Sequence, residues 1–195
     1  NQQGSESLDR VLSKGNNALS PYEAETFVRN GALLLDVRHQ KEFVKGHIPG
    51  SLFIGLDGMF AIWVGTLVKD IQRPIVIVAP EGRENETVMR LARVGYDTVS
   101  GYLSGGIESW KMDGRLIETI ESVPAKELTD RIKKQKTTVL DVRKPSEYKA
   151  GHLENAQSFP LDFINDHLND LDKPDPFYVH CRRGYRSVIA CSILR

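Results

Sequence analysis

The stretch Leu33–Asp57, LLLDVRHQKEFVKGHIPGSLFIGLD, lies without a gap over Thr138–Asp162, TVLDVRKPSEYKAGHLENAQSFPLD, at a constant offset of 105 residues. Nine of the 25 positions are identical, among them Asp-Val-Arg, then Glu, then Gly-His, then a closing Leu-Asp in register. Self-similarity at a fixed offset marks a duplicated structural unit. Length and composition leave open whether 195 residues make one large domain or two small ones. The repeat decides for two.

Outward from the repeat, each copy reads the same way. Ser20-Pro21-Tyr22-Glu23 is a helix start, with Ser as N-cap, Pro at the first helical position and Glu three residues on, and Asn30-Gly31 closes that helix. The apolar run Ala32–Val37 follows, too short for a helix and without polar alternation, which is the pattern of a parallel strand covered on both faces. In the second copy Pro124 opens a helix carrying Leu128 and Ile132 one turn apart, and the strand Thr137–Val142 follows. Ile75–Ala79 and Phe177–Cys181 are further strands, each preceded by proline and followed by a Gly-containing loop and a helical stretch. The expected fold is α/β: two tandem domains, each a mainly parallel sheet with helices on both faces. In such sheets functional groups gather where loops leave the carboxyl ends of strands, which points at Arg38, Arg143 and the loop after Val179.

Twenty-six basic residues balance twenty-six acidic ones, so no global field attracts nucleic acid or an anionic membrane surface. The longest apolar runs, around Ala32–Leu35 and Phe60–Leu67, fall far short of a membrane span, and a soluble protein is expected. Cys181 and Cys191 are too few for a disulfide framework, and a reducing, cytoplasmic setting is expected. The five histidines form no close ligand pair, so neither a metal nor a cofactor is expected in this chain.

The segment His180-Cys181-Arg182-Arg183-Gly184-Tyr185-Arg186-Ser187 separates a strand from the helical pattern Val188–Leu194. A cysteine placed there meets backbone N–H groups and the positive end of a helix, which favour the thiolate nucleophile. A helix terminus supplies up to ~2 kcal/mol of such preference. The loop arginines are expected to add the rest.

These motifs resemble the rhodanese family of sulfurtransferases over essentially residues 18 to 195. The residues that carry the resemblance are Asp-Val-Arg with Gly-His downstream in both copies, Cys181–Ser187, and Leu103-Ser104-Gly105-Gly106-Ile107-Glu108-Ser109-Trp110. It implies that Cys181 accepts sulfane sulfur from a small anionic donor, holds it as a persulfide cradled by the N–H groups of Arg183 to Ser187, and passes it to a thiol or cyanide. Arg182, Arg183, Gly184, Tyr185, Arg186 and Ser187 would bind the substrate. Four residues separate Cys181 from Arg186, a tighter ring than the five-residue spacer of phosphatases sharing the fold, so sulfur fits better than phosphate. The competing class is a non-catalytic scaffold or docking module of a metallohydrolase.

Other residues read more plainly. Asp141 and Arg143 recur as Asp36 and Arg38 in a copy without cysteine, which argues for a structural ion pair. His47 and His152 are expected to pin turns, and His180, on a strand, to point away from the loop. Cys191 reads as a small buried residue, Trp63 and Trp110 as packing residues, and Phe60–Gly65 as apolar enough for an interdomain or partner contact.

Residues 1 to 180 hold no cysteine. Matching strands puts Ala79-Pro80-Glu81-Gly82 over Cys181-Arg182-Arg183-Gly184, counting back from the helix shifts the match by one or more residues, and Glu81, Glu84 and Glu86 would repel an anionic donor. The first copy is therefore expected to bind or dock. The expected organisation is 1–17 as a linker or the tail of a preceding domain, 18–118 as the first domain, and 119–195 as a second, C-terminally incomplete one. The first copy, with Gly82–Asp97, followed by an active-type copy, resembles the C-terminal part of bacterial metallo-β-lactamase-fold fusion proteins. That resemblance implies iron or zinc in an N-terminal domain outside this chain, acting as a persulfide dioxygenase or hydrolase, and allows a homodimer through the parent protein.

Overall fold

In the computed structural model, residues 8–134, 137–171 and 177–195 are described. The chain divides into two units, Asn1–Thr119 and Ile120–Arg195.

The first unit opens with helix α1 (Leu8–Gly15), inside the segment expected to be a linker or the tail of a preceding domain. The helix packs on its own unit instead: Val11 is 2% exposed, and α1 lies against the later helix Glu84–Ala92 and strand Val99–Leu103. In the sequence, an amphipathic helix with one buried face cannot be told from a polar tail without its packing partner. Residues 1–7 of that expected linker lie outside the described residues. Then come β1 (Ala18–Leu19), α2 (Pro21–Arg29), β2 (Leu33–Asp36), α3 (Gln40–Lys45), β3 (Leu52–Phe53), α4 (Phe60–Leu67), β4 (Ile75–Val78), α5 (Glu84–Ala92), β5 (Val99–Leu103) and α6 (Gly106–Met112).

All strand pairs are parallel, in the order β1-β5-β4-β2-β3. Every residue of β2 and β4 is buried, as a run without polar alternation requires in a sheet covered on both faces. The expected cap of α2 is present, with Ser20 N–H donating to Glu23 Oε2 at 2.8 Å and Glu23 N–H to Ser20 Oγ at 3.3 Å. Leu19, Leu34, Val76, Val78, Leu103 and Trp110 form a core cluster against one sheet face.

The second unit holds α7 (Ala125–Lys134), β6 (Thr138–Asp141), α8 (Pro145–Ala150), β7 (Ala156–Ser158), two short 3-10 turns over Leu161–Asp170, β8 (Phe177–His180) and α9 (Tyr185–Leu194). Its three described strands run parallel in the order β7-β6-β8, the arrangement of β3-β2-β4 in the first unit. The ends of β6 and β8 stand side by side, with Asp141 paired to His180. The last helix begins at Tyr185 rather than at Val188, so Tyr185, Arg186 and Ser187 form its first turn and not the loop.

Candidate active site at the Cys181 turn

Gly184 makes the early helix start feasible. It caps α9 in the left-handed region at φ 85°, which reverses the chain in the space of one residue. The turn from β8 therefore spans only Cys181 to Gly184, and the thiol is carried to the open end of the first helical turn. Ser187 N–H donates to Cys181 Sγ at 3.3 Å, and the thiol donates to Ser187 Oγ at 3.5 Å. Ser187 in turn donates from its hydroxyl to Gly184 O at 2.9 Å, closing a small ring of contacts. Ser187 is buried while the Cys181 residue stays partly exposed.

Two guanidinium groups lie within electrostatic reach of the Cys181 sulfur, Arg143 and Arg186. Each is fixed by a carboxylate. Arg143 donates from Nε to Asp141 Oδ1 at 2.9 Å, from Nη2 to Asp141 Oδ2 at 2.6 Å, and from Nη2 to Gly151 O at 2.8 Å. Arg186 donates through both Nη atoms to Glu147, at 2.6 and 3.0 Å. Glu147 also accepts the Lys144 N–H at 3.1 Å at the start of α8. With Arg186 first among its causes, the Glu147 carboxyl is held down to about 2. Arg186, expected on a donor, is thus braced on α8 and carries its charge to the sulfur from a fixed position. Arg182 and Arg183 are exposed and have no ion pair or hydrogen bond among the described residues.

Asp141 is buried. Its burial raises the carboxyl, but hydrogen bonds from Arg143 and the charge of His180 outweigh that and leave it lowered. The same bidentate pair recurs in the first unit, where Arg38 Nη2 meets Asp36 Oδ2 at 2.6 Å and Gly46 O at 2.9 Å. A pair built identically beside a cysteine and away from one ties the strand end to the turn after α3 or α8. His47 and His152 donate from Nδ1 to Phe43 O (2.9 Å) and Tyr148 O (3.0 Å), pinning those turns. His180 does not simply point away: its Nε2 sits 3.3 Å from Asp141 Oδ2. Cys191 is pushed up to about 11 by burial, which makes it a poor nucleophile at neutral pH.

Sequence reasoning missed Glu147 as a site residue. Its one signal was identity with Glu42 in the repeat, and Glu42 does the plain half of the job, accepting the His39 N–H at 3.2 Å. Nothing in the linear order links Glu147 to Arg186, thirty-nine residues on.

The corresponding turn of the first unit is built differently. Ala79 follows β4 where Cys181 follows β8, and Gly82 is left-handed at φ 79°. Helix α5 then starts two residues after its glycine, against one in the second unit, which is why strand-based and helix-based matching disagree by a residue. The added residue, Arg83, is clamped to Asp57 Oδ1 at 2.7 Å and to Glu86 Oε2 at 2.8 Å.

The family model described as a rhodanese-like domain matches residues 20–113 and again 124–195. A thiosulfate sulfurtransferase of Ectopseudomonas mendocina, GlpE, is 28% identical over 94 residues, 48% of this chain and 83% of that protein. The uncharacterized protein YqhL of Bacillus subtilis is 33% identical over 61 residues, 31% of this chain and 48% of that protein. Thus the chain spans less than half the length of that relative. Among solved structures, a thiosulfate sulfurtransferase from Pseudomonas aeruginosa aligns at TM-score 0.46 and 20% identity, covering 92% of this chain and 41% of that one. With both of its matched segments carrying the repeat and together spanning most of the sequence, this chain belongs to the rhodanese-like family and holds two copies of its domain.

Proposed function

We propose that the second unit is a sulfurtransferase that works by double displacement on Cys181. The Cys181 thiolate attacks the sulfane sulfur of thiosulfate or a small persulfide. A Cys–S–S⁻ bond forms, the donor S–S bond breaks, and sulfite or the donor thiolate leaves with the electron pair. A thiol or cyanide then takes the outer sulfur and returns Cys181 to thiolate. The observation that carries this reading is the Ser187 N–H aimed at Cys181 Sγ from 3.3 Å in the first turn of α9. Fixed main-chain donors of that kind favour an anionic sulfur without reorganisation.

Supporting it, Arg143 and Arg186 add positive charge behind the sulfur, and exposed Arg182 and Arg183 are placed to draw in an anion. Gly184 ends the turn and Tyr185 opens α9. The names of the GlpE relatives agree with the reaction class. The first unit, with Ala79 in place of cysteine and Arg83 tied to two carboxylates, serves docking rather than transfer. A reducing cytoplasm suits a free Cys181. The likeness of Gly82–Asp97 supports a place beside an iron- or zinc-holding metallo-β-lactamase-fold domain that shares the persulfide.

The test is incubation with thiosulfate followed by mass spectrometry. Cys181 gains about one sulfur mass, sulfite is released, and added cyanide discharges the adduct as thiocyanate. Cys181→Ser abolishes all three signals; an equal adduct in that variant overturns the reading.

A further inference from the structure

One register position separates the two units in a way that the ion pair and the fold do not require. Opposite Asp36 the first unit places Val78, fully buried; opposite Asp141 the second unit places His180. The Asp–Arg pair is complete in both units, bond for bond, so the histidine is not needed to form it. Nor does it serve packing well. His180 Nε2 is shielded from solvent and makes no hydrogen bond, although Asp141 Oδ2 lies 3.3 Å away. A buried polar nitrogen without a partner costs about 1–3 kcal/mol, and valine at this position carries no such penalty. The unit that bears the nucleophile keeps the costly residue, directly before Cys181.

Three groups face the imidazole. Asp141 from β6 favours its protonated form, Arg143 just beyond β6 opposes it, and the Cys181 main chain favours it by hydrogen bonding, while burial favours the neutral ring most of all. The ring therefore sits between a carboxylate and the backbone of the reacting residue. Arg143, which opposes the imidazolium, also lies within electrostatic reach of the sulfur, so an anionic sulfur offsets the charge that disfavours the protonated ring.

We propose that His180 is a positioning residue for Cys181: when the sulfur is anionic the imidazole takes up a proton from solvent, bonds Asp141 through Nε2, and holds the Cys181 main chain in the geometry that keeps Ser187 N–H on the sulfur. This rests on the sulfur-transfer reading of Cys181. It makes the second unit's strand end responsive to the charge of its own turn, which the first unit, with valine, is not.

The experiment is the pH profile of single-turnover sulfur uptake from thiosulfate, read by mass spectrometry, for wild type, His180→Val and His180→Asn. Val copies the first unit; Asn keeps a polar side chain that does not titrate. The wild-type rate should exceed both variants by roughly tenfold near pH 5.5, the size of one pKa unit of lost interaction, and the ratio should shrink toward one near pH 8. Thermal midpoints separate this from a packing defect, because His180→Val removes an unpaired polar group and should hold or raise stability while slowing uptake. A constant ratio across pH, or variants as fast as wild type, overturns the proposal while leaving the Cys181 reading intact. If wild type itself gains no sulfur, both fall.

Discussion

At the scale of single residues, the turn around Cys181 contains four arginines in two classes. Arg143 and Arg186 are held by Asp141 and Glu147, whereas Arg182 and Arg183 face solvent unpaired among the described residues. Replacing both Arg182 and Arg183 by Ala should leave the unfolding midpoint unchanged and raise KM for thiosulfate several-fold at low salt, with the difference fading as salt screens the field. Glu147→Gln acts in the opposite sense. It weakens the bidentate bond to Arg186 and the cap at Lys144, costing about 1 kcal/mol once solvent screening of this partly exposed pair is allowed for. Sulfur uptake should slow with it, as Arg186 loses its fixed position. The pH dependence follows from the depressed carboxyl: held at about 2 against an ordinary 4.5, it contributes its full stability above about pH 4.5 and loses it as pH falls toward 2. Urea unfolding of wild type and Glu147→Gln across that window should converge at the acid end. His180 runs the same way at higher pH. Burial lowers it from 6.5, so the fold favours the neutral ring and loses stability as pH falls below about 6.5.

At the scale of elements, the junction of β8 and α9 depends on one backbone conformation. Gly184 has open space where a Cβ would stand, so Gly184→Ala meets only the left-handed penalty of its φ of 85°, about 1–2 kcal/mol. Relieving that strain would pull Ser187 N–H off the sulfur, and uptake should fall more than stability does. Circular-dichroism melts alongside adduct formation would measure both. Gly101 in β5 is a contrasting case: a Cβ there would clash with Asn17 O, at the close approach of β1. Gly101→Ala should destabilise the first unit by forcing backbone apart, with little effect at Cys181. The strands were legible because buried parallel strands are continuous apolar runs, and β2, β4 and β6 fall within their expected limits. The start of α9 was not, since Tyr185-Arg186-Ser187 has the composition of a loop and becomes helical only because Gly184 turns the chain. Helix α1 escaped for a related reason: its one buried side, at Val11, means nothing until α5 and β5 are present to cover it.

At the scale of the whole chain, duplication has left two turns that differ by one residue in length and in their chemistry. Ala79→Cys would restore a thiol at the strand end of the first unit, yet the clamped Arg83 and the neighbouring Glu81, Glu84 and Glu86 should keep it from gaining sulfur from thiosulfate. Peptide mapping after labelling should find the adduct on Cys181 alone; a second adduct at position 79 would mean that the cysteine was the sole difference between the copies. The tandem architecture, the parallel sheets and the placing of a cysteine between strand and helix were set by the sequence alone, because repeat identity, apolar runs and caps act through residues near one another in the chain. The tertiary structure decided which arginines are braced and which are unpaired among the described residues, that Glu147 belongs to the site, and that His180 lies against Asp141. Those are contacts between strand ends and helices far apart in sequence, and they exist only once the sheet has brought β6 and β8 side by side.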